Sequence, residues 1–286
     1  LLSSGCQFYD AKEYQSAFES YTTAVSLNPQ SATLLYNLGN GFYDLRKHAN
    51  AIECYSLALE KKPNYAAAYA NKGNVHFSLK EYEEALECYK KASDINPEYS
   101  LAYRNQGKTY SALGSGTKAL ECYDRAIGLD PDNPTLFREK AMVYDHMKNF
   151  PRAIECLSRS IKLNPHEAQY HSEQGNALFN MKEFSMSIDS YNTAIHLNPK
   201  FEEAYYTKGL ALAQMDQFDL AIPCFNKVIK LNPKNSQAHC SKGDSFFNLM
   251  KYERALECYD KALEINPKNR DALENRAYAM ETLGKH

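Results

Sequence analysis

Residues 32–65 read ATLLYNLGNGFYDLRKHANAIECYSLALEKKPNY, and the proline near the end of that stretch belongs to a ladder. Pro29, Pro63, Pro97, Pro131, Pro165, Pro199, Pro233 and Pro267 recur every 34 residues without an insertion. Counting back from them divides the 286 residues into repeats. Residues 1–31 form a first repeat lacking its first three positions. Seven complete repeats follow (32–65, 66–99, 100–133, 134–167, 168–201, 202–235 and 236–269), then a half repeat (270–286). A chain of this length would otherwise suggest two domains of roughly 150 residues. An unbroken period predicts one stacked array, 1–286, in which no repeat buries its faces alone. The chain starts without Met and ends in Gly284, Lys285 and His286 midway through a repeat, so it reads as a piece of a longer protein.

With the ladder proline as position 32, residues 32–65 place Leu35, Leu38, Gly39 and Phe42 at positions 4, 7, 8 and 11. Ala51, Tyr55 and Ala58 follow at 20, 24 and 27. Apolar residues at these intervals have helical spacing in two short segments, so each repeat is predicted to be two helices. Position 8 is Gly5, Gly39, Gly73, Gly107, Gly175, Gly209 and Gly243, with Ala141 and Ala277 in its place elsewhere. Position 20 is alanine in every frame except at Ser187. Small residues there are expected to let the helix backbones approach, with bulky ones at 4, 11, 17 and 24 filling the space beside them. Asn-Pro closes most second helices, because proline lacks an amide hydrogen and disfavours helical geometry at the residue before it.

This coincidence of small, aromatic and proline positions in consecutive frames resembles the tetratricopeptide repeat (TPR). The resemblance covers the whole chain and implies an all-α fold, a right-handed α-α superhelix. Two places depart from it. Gly114, Ser115 and Gly116 remove the ring that Tyr82, Phe150, Phe184, Phe218 and Tyr252 supply at position 17. Pro223 lies a turn into a second helix, where it removes a hydrogen bond or delays the helix start. Both read as sequence drift, while Pro151 stands at a helix start, where proline is ordinary.

Composition removes several classes. The chain is 44% apolar and 24% charged with 12 glycines, and no apolar run approaches the roughly 20 residues of a membrane span. Thirty-three basic against 35 acidic residues give a net charge of −2, so no whole-molecule field pulls the chain towards nucleic acid or anionic lipid, and neither a nucleic-acid partner nor membrane insertion is expected. Cys54, Cys88, Cys122, Cys156, Cys224 and Cys258 share position 23, one per repeat, with Ser20 and Ser190 in the same slot. That spacing exceeds disulfide reach and lacks the CxxC pattern of zinc sites, so a reducing, cytoplasmic setting is expected, with a cilium as an alternative. The histidines, among them His76, His166, His171 and His239, form no HExxH or triad pattern, and the glycines form no phosphate loop. No catalytic residue, metal site or cofactor is predicted.

The TPR resemblance implies that positions 2, 5, 6, 9, 12 and 13 face a concave groove. Position 6 carries Asn37, Asn71 and Asn105; position 9 carries Asn40 and Asn74, then Lys108 and later Asn176. Positions three apart share a helix face, and an asparagine row offers donors and acceptors to an extended backbone. It is similar to the ladders of the O-GlcNAc transferase superhelix and the peroxisomal import receptor. Tyr36, Tyr43, Phe77 and Tyr9 stand beside it as apolar anchors, and Phe179, Phe247 and Tyr206 recur at the same positions further on. Arg104, Lys108 and Arg138 make a basic centre, while Glu139, Glu173, Glu203, Asp244, Asp271 and Glu274 make the later groove acidic. The clamp of chaperone-binding members is not expected. Asn40 and Asn71 match it, but Tyr36, Leu101 and Asn105 replace its cations.

The reading that follows is a non-catalytic scaffold that holds an extended peptide or partner helix. A structural subunit of a large assembly, such as ciliary or transport machinery, and the substrate-recruiting arm of a larger enzyme are the alternatives.

Overall fold

The computed structural model describes residues 14–284, so Gly5, Tyr9, Lys285 and His286 lie outside the described residues. All regular structure in them is α-helical. The first helices are Ala32–Asp44, Ala66–Ser78, Ser100–Ala112, Pro134–His146, Ala168–Asn180, Glu202–Gln214, Ser236–Asn248 and Arg270–Thr282. The second helices are Tyr14–Leu27, His48–Lys61, Tyr82–Ile95, Gly116–Leu129, Phe150–Leu163, Phe184–Leu197, Phe218–Leu231 and Tyr252–Ile265. Every complete repeat therefore holds 13 residues at positions 1–13 and 14 residues at positions 17–30. The fold is the all-α TPR solenoid.

The chain forms two compact units, Leu1–Val143 and Tyr144–His286. Within each, helices pack on their sequence neighbours, in pairs inside a repeat and then against the next repeat. The cores are alike. Alanines at position 20, including Ala51, Ala85, Ala221 and Ala255, are fully buried, and Tyr55, Tyr89, Tyr191 and Tyr259 at position 24 are almost so.

The glycine at position 8 has a different role from the expected one. A Cβ built on Gly73 would stand 2.7 Å from the Tyr89 ring, and one on Gly175 would stand 2.5 Å from Tyr191. Gly39, Gly209 and Gly243 meet Tyr55, Phe225 and Tyr259 in the same way. The absent side chain makes room for the repeat's own position-24 ring, rather than for a second backbone.

The two turns of each repeat have separate causes. Asn96, Asn198, Asn232 and Asn266 precede the ladder proline, and each side-chain oxygen accepts from the backbone amide two residues on, at 3.1–3.3 Å. Proline keeps the asparagine out of helical geometry, and the asparagine side chain closes the turn. Between the two helices, position 15 is left-handed in repeat after repeat. Arg46, Lys80, Lys148, Lys182, Asp216 and Met250 have φ of 57–63°, and Gly114 has φ 71°. A bond such as Lys47 N–H to Phe42 O, 2.8 Å, closes the helix end around it.

Gly114 is thus the relaxed residue at a strained position. Met250 is 77% exposed, so it gives up no packing there. Met250→Gly should raise stability by about 0.5–1 kcal/mol and Gly114→Ala should lower it by about 1 kcal/mol, read by urea denaturation. A destabilised Met250→Gly would contradict this reading of the turn.

The missing ring at Gly116 has a partner absence to match. Position-12 and position-17 rings pair in some repeats, as in Phe77 with Tyr82 (centroids 5.5 Å apart) and Phe247 with Tyr252 (5.1 Å), while Phe150 and Phe218 follow Asp145 and Ala213 at position 12. In the fourth repeat both are lost together, as Ser111 and Gly116. Pro223 leaves its helix unbroken over Phe218–Leu231, so of the two expected effects only the lost hydrogen bond applies.

Candidate functional site

The first helices carry positions 5, 6, 9 and 12 at helical spacing, but Asn40, Asn71, Asn74 and Asn105 among them are bonded to one another. The Tyr55 hydroxyl donates to Asn40 Oδ1 at 2.7 Å, and Asn71 Nδ2, one repeat on, donates to the same oxygen at 2.8 Å. Asn71 also donates to the Tyr36 hydroxyl at 2.9 Å. The next repeat copies the arrangement, with Tyr89 Oη and Asn105 Nδ2 donating to Asn74 Oδ1 at 2.8 and 3.0 Å. In the second unit Tyr259 and Asn275 both donate to Asp244 Oδ1 at 2.8 Å. The position-9 oxygen thus accepts from its own repeat's buried tyrosine and from the following repeat's position-6 amide. Its lone pairs serve repeat stacking, not the backbone of a guest.

In two repeats acceptor and hydroxyl disappear together, as Leu210 with Phe225 and Met142 with Leu157, whereas the fourth repeat keeps the Tyr123 hydroxyl with Lys108 at position 9. Asn176 keeps its tyrosine, with Tyr191 donating at 2.9 Å. Asn37 is half-buried on the same face and makes no side-chain hydrogen bond among the described residues.

The basic centre is also partly neutralised from within. Arg104 Nε and Nη2 donate to the two Glu139 oxygens at 2.8 and 2.5 Å, with the side chains 28% and 12% exposed. A bidentate, half-buried pair of this kind positions both groups firmly. Arg138 is half-buried and already has a partner of its own. Lys108 differs: it is exposed, lies 5.7 Å above the Phe77 ring, and has no ion pair among the described residues.

The expected aromatic anchors are half-buried. Tyr36 packs 5.0 Å from Tyr65 and 6.0 Å from Tyr55. Tyr43 lies 5.9 Å from the His48 ring, and its hydroxyl stands 3.1 Å from Ser78 Oγ. In the second unit Phe179 packs on Phe184.

Of the eleven residues expected to contact a partner, Tyr43, Asn74, Phe77, Asn105 and Lys108 meet in one pocket of about 250 Å³, completed by Ser78, Tyr89 and Leu101. Tyr36, Asn37, Asn40, Asn71, Arg104 and Arg138 do not line it. Leu101 and Ser78, at positions 2 and 13, were missed as contacts although both positions belong to the groove set that the resemblance implies. A second pocket, of about 500 Å³, lies in the other unit among Phe201, Glu202, Glu203, Tyr206 and Asn235. Both its carboxylates accept from asparagines, Glu202 Oε1 from Asn232 at 3.1 Å and Asn235 at 2.8 Å, and Glu203 Oε1 from Asn176 at 3.4 Å.

Asp244 is a carboxylate where three other repeats place asparagine, and burial raises its pKa above the usual carboxylate range. A raised folded-state value means that the native state binds the proton more readily than the unfolded chain. Stability is therefore lost as pH rises through that value. Asp244→Asn keeps the acceptor for Tyr259 and Asn275 and removes the charge. Its melting temperature should exceed that of the parent at pH 7, and the advantage should shrink as pH falls towards 4. An advantage independent of pH would contradict the assignment.

Burial pushes the Cys54 and Cys122 thiols up to about 11 and Cys240 up to about 12, so they remain protonated and weakly nucleophilic at neutral pH. No group of three or more His, Cys, Asp or Glu able to hold a metal ion occurs among the described residues. None of the described helices is long and apolar enough to cross a membrane.

Comparison with known proteins places the pattern. A family model described as tetratricopeptide repeat matches residues 32–65, 66–99, 202–235 and 236–269, and another of that description matches 108–174. A TPR repeat model matches 5–45 and 175–216. No curated protein matches the sequence. Among solved structures, MamA is 27% identical, covering 60% of this chain and 94% of its own, with a TM-score of 0.57. The C-terminal part of a TPR repeat-containing protein from Cytophaga hutchinsonii is 20% identical over 84% of this chain and 98% of its own, with a TM-score of 0.71. The APC/C hetero-tetramer Cut9-Hcn1 is 17% identical over 93% of this chain and 52% of its own, at 0.61, and these last two speak for the fold alone. With family models matched along its length and paired helices in every complete repeat, the chain belongs to the tetratricopeptide repeat family.

Proposed function

We propose that this protein is a non-catalytic interaction scaffold, acting as one array of repeats, and that the first-helix face of its first unit holds an extended peptide or a partner helix. The observation that carries the reading is the pocket between the third and fourth repeats, where the aromatic side chains Tyr43 and Phe77, the apolar Leu101 and the cation Lys108 converge. Exposed apolar surface rimmed by polar groups is what a partner anchor requires. Thiols such as those of Cys54, Cys122 and Cys240, in no disulfide among the described residues, suit a reducing, cytoplasmic setting, which forms part of the same proposal.

The asparagines and Arg104 are unsuitable for testing this, because their loss disturbs the stacking. Leu101, 39% exposed, is suitable. Leu101→Asp should lower the affinity of a partner isolated from cell extract by about tenfold or more, about 1.4 kcal/mol, without shifting the melting temperature. An unchanged affinity, together with loss of binding on substituting exposed second-helix residues such as Lys61 and Lys118, would favour the structural-subunit reading instead.

A further inference from the structure

The pocket that carries the scaffold reading also indicates what it would select, and this inference rests on that reading. Its volume of about 250 Å³ gives room for one side chain of a guest. Its lining is mixed, with the apolar part supplied by Tyr43, Phe77 and the exposed Leu101. Its polar floor is largely committed. Asn74 Oδ1 accepts from Tyr89 and Asn105, and the Ser78 hydroxyl donates to the Asn74 backbone oxygen at 2.9 Å.

The charge at the rim is not committed. Both oxygens of Glu139 are taken by Arg104, and Lys108 has no carboxylate partner among the described residues. Its ammonium lies over the Phe77 ring, a weak attraction at an exposed site. A carboxylate makes a stronger, charge-assisted bond. Arg104, Glu139 and Lys108 together leave one unbalanced positive charge beside an apolar slot.

We propose that this pocket selects a peptide segment in which an aliphatic or aromatic side chain stands within two residues of a carboxylate. The apolar side chain fills the slot and the carboxylate meets Lys108. Charge of this kind sets specificity more than raw affinity.

Selection from a random peptide display library on the immobilised protein tests this, run beside Lys108→Glu and Lys108→Gln. Lys108 is exposed, so the variants should melt as the parent does, which the same preparations verify. The parent should enrich acidic residues next to an apolar anchor, Lys108→Gln should lose the acidic preference, and Lys108→Glu should replace it with lysine or arginine. The best parental peptide should bind Lys108→Glu about tenfold more weakly. Enrichment of the same peptides by all three proteins, or apolar enrichment without acidic residues, would overturn the inference and leave the scaffold reading standing. Enrichment that persists unchanged in Leu101→Asp, or none on any of the proteins, would overturn that reading as well.

Discussion

Asn74→Leu should destabilise the protein by about 2–4 kcal/mol, although leucine is the better helix former and the site is only half-buried. The substitution strands two donors at once, the hydroxyl of Tyr89, 2% exposed, and the amide of Asn105, 9% exposed. A buried donor left without an acceptor costs about 1–3 kcal/mol. Adding Tyr89→Phe removes one of the stranded groups and should restore about 1–2 kcal/mol. The seventh repeat already carries that combination as Leu210 and Phe225. Urea denaturation of the two single variants and the double variant gives the coupling, and strictly additive losses would mean that Tyr89 and Asn74 do not hold each other.

A larger effect is expected one turn away in kind, at position 8. A valine at 175 would put its Cβ 2.5 Å from Tyr191 Cε1, where real contacts do not occur, and Tyr191 is fully buried. Gly175→Val should cost about 3 kcal/mol or more through forced displacement of the ring. Tyr191→Ala alone should cost about 3–5 kcal/mol by leaving a cavity. The double variant should be no less stable than Tyr191→Ala, since the valine occupies part of the space the ring leaves. The fifth repeat shows the same exchange in its sequence, with Ala141 at position 8 and the smaller Leu157 at position 24. Where repeats unfold in succession, amide exchange in Ala168–Asn180 reports the local value. A double variant that loses the sum of the two single losses would return position 8 to the expected backbone-approach role.

The sequence made the helical pairs legible because their causes are local. Intervals such as Leu35, Leu38 and Phe42 define one helix face, and Pro63 or Pro97 ends a helix wherever it stands. The left-handed residue at position 15 escaped notice because arginine, lysine, aspartate and methionine all occupy it, and only Gly114 and Gly284 advertise it.

The candidate site was legible by face but not by partner. Asn71 and Asn105 do lie on the face expected of them, yet they bond to residues 31 positions earlier, across the repeat boundary. Arg104 looked like a cation awaiting a guest, while its carboxylate, Glu139, stands 35 residues on and was assigned to a separate acidic tract. Position numbers within one repeat contain no information about which neighbour completes a side chain. Once the register between repeats is known, Lys108 is the member of the basic centre that makes no ion pair among the described residues, and the pocket around it follows.

The most direct measurement is an amide correlation spectrum of the protein titrated with a peptide recovered from the library. Perturbations should gather on Phe77, Ser78, Leu101 and Lys108, with the side-chain amides of Asn71 and Asn105 keeping their slow exchange throughout. Perturbations centred on the second helices, or a loss of protection at Asn71 and Asn105 as their bonds are surrendered to the peptide, would show that the pocket is not the binding surface or that the asparagines read the guest after all.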